Sequence, residues 1–97
     1  FPGGKCLPAE PPEVCAVPEC LADTGLEIEV LGLRREMLHA YPYGTVHLHF
    51  FDCRLLPGNE TRPVHPGFMW VPGGRLNEYH FPEPNQTLLA ELARSAP

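Results

Sequence analysis

The sequence predicts an α+β domain with a helix–sheet–helix layering. Three observations predict it. Apolar residues at helical spacing start after Pro11-Pro12 and stop at Gly25. Alternating residues follow from Leu26 to Arg54, and a leucine-rich helical segment closes the chain between Pro84 and Ser95.

Residues 2–11 read as loop, because Pro2, Gly3, Gly4, Pro8 and Pro11 break any regular pattern. Pro12 suits the first turn of a helix, where its missing N–H costs nothing. Val14, Val17 and Leu21 then recur at helical spacing and are expected to face a core. Gly25 stops this helix. Pro18 falls inside it and removes the amide that would reach the Val14 carbonyl. The cost is about 3 kcal/mol, so a kink is expected.

From Leu26 to Arg34, Leu26, Ile28 and Val30 alternate with Glu27 and Glu29, which describes a half-buried strand. A second strand over Arg35 to Tyr41 turns at Pro42-Tyr43-Gly44. Thr45 to Arg54 carries the strongest strand pattern: Val46, Leu48 and Phe50 point one way, His47, His49 and Phe51 the other. Pro57-Gly58-Asn59 is a turn. Phe68 to Val71 reads as a short strand with Trp70 in the core. In the closing helix Leu88, Leu89 and Leu92 face inward.

With 97 residues, the chain forms at most one small domain, taken as residues 1–97. The formal net charge of −5 argues against a nucleic-acid surface, where Lys and Arg dominate. It does not exclude a nucleotide, because a divalent ion can join carboxylates to phosphates. No run of about 18 apolar residues suggests a membrane span, and no segment reads as a signal peptide. Cys6, Cys15, Cys20 and Cys53 fit no Cys-x-x-Cys pattern, so reduced, packed thiols in a cytoplasmic protein are expected. The triplets Asn59-Glu60-Thr61 and Asn85-Gln86-Thr87 are read as incidental.

Glu19 and Asp23 are one helical turn apart and share a face. Such a pair is either a solvated helix face or a site for Mg²⁺ or Mn²⁺, which take oxygen ligands. Gly3-Gly4 lets the backbone approach a bound group closely. Glu10 reads as a loop brace rather than a ligand. His47 and His49 share a strand face with Cys53, and an exposed or satisfied strand face is preferred over a metal site there.

These residues carry a family resemblance. Gly4, Glu10, Glu19, Gly25 and Leu26 keep the spacing of the Nudix box, G-x5-E-x7-R-E-U-x-E-E-x-G-U with U a bulky aliphatic, and FPGGK leads into it. His39-Ala40-Tyr41-Pro42, His49-Phe50-Phe51, Trp70-Val71 and Phe81-Pro82-Glu83-Pro84-Asn85 resemble the MutT-type branch, the 8-oxo-dGTP diphosphatases. The box is worn. Pro18 stands at the family's arginine, Ala22 and Asp23 at its paired glutamates, and Val64 where a further acid is usual.

The resemblance implies a Nudix-type sandwich with a mixed β-sheet, cut short at its N-terminus. An unpaired sheet edge would then call for a homodimer or strand swap. It implies metal ligation by Gly3, Glu19 and Asp23, with Glu19 and Asp23 as the catalytic pair. Lys5 would contact phosphate, Phe1 and Phe81 would line a base pocket, and Asn85 would hydrogen-bond a purine edge unless it merely caps the last helix. The implied activity is Mg²⁺-dependent release of pyrophosphate from an oxidised or ordinary nucleoside triphosphate. The worn box also resembles the non-catalytic 8-oxoguanine-reading domain of MutY-type adenine glycosylases, for which DNA would be the partner, and an inactive remnant is a third possibility.

Overall fold

Pro12 sits at the first turn of helix α1, Pro12–Thr24, in the computed structural model, which describes residues 1–95. Residues 96–97 of the expected domain lie outside the described residues. Gly25 ends α1 in the left-handed conformation (φ 79°), and its N–H donates to the Leu21 carbonyl at 2.8 Å. Buried Thr24 seals the same end. Its hydroxyl donates to the Cys20 carbonyl at 2.7 Å and accepts from Leu26 N–H at 3.2 Å. The helix runs on through Pro18, whose flank is exposed.

Strands β1, Ile28–Tyr41, and β2, Gly44–Leu55, form one antiparallel hairpin. Pro42-Tyr43 makes the two-residue turn, and pairs from Tyr41↔Gly44 to Arg35↔Phe50 stay in constant register. The two strands expected before the turn are a single one. Register shifts between Val30 and Gly32 and between Leu33 and Arg35 mark bulges, which insert residues without ending the strand. Among the described residues the sheet is this antiparallel pair, not the expected mixed sheet, and the outer edges of both strands are unpaired. The α+β class holds.

A 3₁₀ turn, Gly73–Glu78, follows, then a shorter one, Glu83–Asn85, and helix α2, Gln86–Ser95. Leu88 and Leu89 are buried with Leu76 and Pro84, while Leu92, also expected inward, is half-buried. Burial of each leucine contributes about 1.5–3 kcal/mol.

Two expectations fail. Val14, Val17 and Leu21 face solvent, while Cys15, Cys20 and Thr24 form the buried side of α1. The helix is rotated because Cys15 is bonded to Cys6 and Thr24 is committed to the Cys20 and Leu26 backbone. Phe68–Val71 is not a strand, and Trp70 is 63% exposed. Pro63, Pro66 and Pro72 crowd this segment and remove ladder donors. Trp70 instead walls an apolar groove of about 120 Å³ with Pro2, Leu26, Ile28, Leu55 and Met69.

The thiols are likewise not all reduced. Cys6 and Cys15 form a disulfide, with Cα atoms 5.6 Å apart. A turn reverses the chain between them. Glu10 N–H donates to the Leu7 carbonyl at 3.0 Å, and Glu10 Oε1 accepts Leu7 N–H at 3.1 Å. Glu10 is thus the loop brace. Cys20 and Cys53 are free thiols. Asn59, in the first of the two triplets, is 3% exposed: its Oδ1 accepts Glu27 N–H at 2.8 Å and its Nδ2 donates to the Leu56 carbonyl at 3.1 Å. It clips the loop after β2 to the residue that precedes β1. Among the described residues, no helix is long and apolar enough to cross a membrane.

Candidate functional site

Helix α1 carries Glu19 and Asp23 one turn apart, and the N-terminal segment folds back over both. Gly3 N–H donates to Asp23 Oδ2 at 2.9 Å. Gly4 lies so close to Glu19 that a Cβ built on it would be 2.6 Å from Glu19 Oε2. Glycine leaves the Glu19 carboxylate where it is, since any side chain here would displace it. Both carboxylates are half-buried.

The same segment begins in an aromatic cluster. Phe1 stacks on Phe81 with ring centroids 5.3 Å apart and meets the edge of Phe50 at 6.1 Å. Four residues therefore join an aromatic surface to a pair of carboxylates, a reach of about 10 Å in extended chain. Asn85 is half-buried in the 3₁₀ turn Glu83–Asn85, four residues beyond Phe81. Lys5 is exposed directly after Gly4.

Gly3, Glu19 and Asp23 are thus drawn together at one end, and Phe1 and Phe81 at the other. Phe50 was not foreseen as part of the aromatic cluster, although its alternation with His49 and Phe51 already put it on the face opposite them. Arg35 shares that face, and its Nε donates to Glu91 Oε2 on α2 at 2.6 Å. This contact holds the Glu91 carboxyl below its ordinary range, helped by the charges of Arg35, Arg34 and Arg94 and opposed by desolvation. Cys53 stands apart from the histidines it was grouped with. Its thiol donates to the Phe51 carbonyl at 3.8 Å, and burial pushes its pKa up, away from a ligating thiolate, with Cys20 and Asp52 adding to the shift.

The side-chain donors at the glycine loop are hard oxygens, the carboxylates of Glu19 and Asp23, and Gly3 meets Asp23 through its N–H. Magnesium binds through one or two carboxylates and fills its shell with water and phosphate oxygens, so this set fits it in kind. It is a spare set. Among the described residues, the groups of three or more His, Cys, Asp or Glu side chains with converging donor atoms lie elsewhere. The family model of the NUDIX domain matches residues 1–91. No curated protein matches the chain.

Proposed function

The chain belongs to the NUDIX domain family, and from that premise we propose a Mg²⁺-dependent hydrolase of the MutT type, releasing pyrophosphate from an ordinary or oxidised nucleoside triphosphate. One observation carries the reading: Gly3 bonds Asp23 while Gly4 leaves room for the Glu19 carboxylate. The oxygens of Glu19, Asp23 and the Gly3 carbonyl would hold the ion. When bound, it polarises phosphoryl oxygens and acidifies water.

The chain's own residues divide the remaining work. Glu19 accepts the proton of the water that attacks phosphorus, and the P–O bond to the departing pyrophosphate breaks. Asp23 fixes the glycine loop through the Gly3 amide and adds negative charge beside the ion. Lys5 offsets charge on the phosphates. Phe1 and Phe81 present ring faces to the base, and Asn85 offers both a donor and an acceptor to a purine edge.

The sparse acidic set favours a second reading. Ala22 and Val64 supply no ligand oxygen, and a domain that recognises 8-oxoguanine without cleaving a nucleotide would need none. The test is pyrophosphate release from 8-oxo-dGTP with Mg²⁺, wild type against Glu19→Gln. Turnover that falls about 10²–10⁴-fold in the variant supports hydrolysis with Glu19 as base. No turnover in the wild type, with salt-sensitive binding of 8-oxoguanine DNA, supports the second reading instead.

A further inference from the structure

Away from the glycine loop, the hairpin gathers three other ligating side chains. Glu36 of β1 pairs directly with His49 of β2, and His47 lies two residues along the same strand, on the same face. His47 Nε2 is 3.1 Å from Glu36 Oε2, and His49 Nε2 is 3.4 Å from the same oxygen. The two imidazole centroids are 4.1 Å apart, and all three donor atoms lie within 4.8 Å of one another.

We infer that Glu36, His47 and His49 form a binding site for a first-row transition ion of the Zn²⁺ class. Two imidazoles and one carboxylate suit Zn²⁺ and its neighbours rather than Mg²⁺. The spacing agrees. A tetrahedral zinc ion with bonds near 2.0–2.1 Å holds its ligand atoms about 3.3 Å apart, and the separations to Glu36 Oε2 bracket that value. Three protein ligands leave a fourth position for water, and the half-exposed side chains of Glu36 and His47 leave a path for it.

The sheet supports the arrangement. Phe51 lies nearly parallel to the His49 ring, with centroids 6.3 Å apart, on the same strand face. The ligands come from both strands, so an ion would cross-link β1 and β2 in mid-ladder. Without an ion, an Nε2 proton on either ring can be donated to Glu36. Ligation needs Nε2 lone pairs, so each ring must carry its proton on Nδ1 instead. That tautomer change gives a signal independent of any activity.

The test is a titration of the oxidised full chain with ZnCl₂ alone, under saturating Mg²⁺ to occupy the glycine loop. It is followed by calorimetry and by imidazole ¹⁵N NMR. We expect one equivalent to bind, the Nε2 resonances of His47 and His49 to move together, and the thermal midpoint to rise. His49→Ala and Glu36→Gln should weaken binding at least about tenfold, whereas His39→Ala, on the other face, should not. Zinc binding that survives in the His47→Ala/His49→Ala double variant would overturn the site. So would wild-type imidazole signals that do not move, which reports cross-strand hydrogen bonds only and needs no variant to fold.

Discussion

Arg35 on β1 and Glu91 on α2, 56 residues apart in sequence, meet Nε to Oε2 at 2.6 Å. The hydrogen bond from Arg35 is the main cause of the lowered pKa of Glu91. A carboxyl depressed in the folded state contributes stability above its unfolded pKa and loses it as the pH falls through the folded one. Glu91→Gln is therefore expected to lower the urea midpoint at pH 7. The gap to wild type should close as the pH drops below about 4. A gap that stays constant from pH 7 to pH 3 would show that the charge on Glu91 contributes nothing.

Gly25→Ala is expected to destabilise the fold for two separable reasons. Its φ of 79° disfavours a Cβ, at about 1–2 kcal/mol. A Cβ there would also stand 2.6 Å from His65 Nε2. Chemical denaturation of Gly25→Ala, alone and combined with His65→Ala, resolves the two. The double variant should recover the clash and retain the backbone cost. A Gly25→Ala midpoint equal to wild type contradicts both.

Legibility in the sequence tracked how local each interaction is. Pro12 and Gly25 act within one turn of chain, and α1 runs between them. Alternation in β2 needs no partner, and His47, His49 and Phe51 do share a face. The turn expected over Pro42-Tyr43-Gly44 is one residue tighter, Pro42-Tyr43, and because a one-residue slip changes every pair, Glu36 opposite His49 was not legible from it. Interactions between distant segments were hidden. The rotation of α1 depends on Cys6 and on Thr24 contacts, so the apolar spacing of Val14, Val17 and Leu21 pointed to the wrong face. Trp70 looked like core because a strand was assumed beneath it. At the site, Glu19 and Asp23 were legible from a four-residue spacing, and the closeness of Gly3 and Gly4 to them from the box pattern. Phe50 beside Phe1 was not, since it requires tertiary placement.

The Cys6–Cys15 bond, nine residues in separation, shortens the unfolded chain's freedom around the turn that Glu10 braces. Chain-entropy bookkeeping puts its contribution at about 2–3 kcal/mol. Reductant should lower the thermal midpoint of the wild type and leave a Cys6→Ser/Cys15→Ser variant unmoved at the lower value. If reductant shifts both proteins equally, or neither, the bond does not hold the N-terminal loop to α1 in solution.

Gly4→Ala separates the stability of the site from its chemistry. The Gly4 backbone lies outside the left-handed region, so alanine brings no conformational strain there. Its Cβ would fall 2.6 Å from Glu19 Oε2 and 3.0 Å from Cδ, the far end of a flexible side chain that can swing away. Stability should therefore change by no more than about 0.5 kcal/mol. On the proposed hydrolase reading, the displaced carboxylate would no longer meet the water or the ion, and a misplacement of that order would cost about 10²-fold in turnover. Paired melts and pyrophosphate assays of Gly4→Ala and Glu19→Gln decide the matter. Loss of turnover in both, with wild-type melts, supports a glycine that exists to seat a carboxylate. Full turnover in Gly4→Ala beside an inactive Glu19→Gln would mean that Glu19 works from a position the loop does not set.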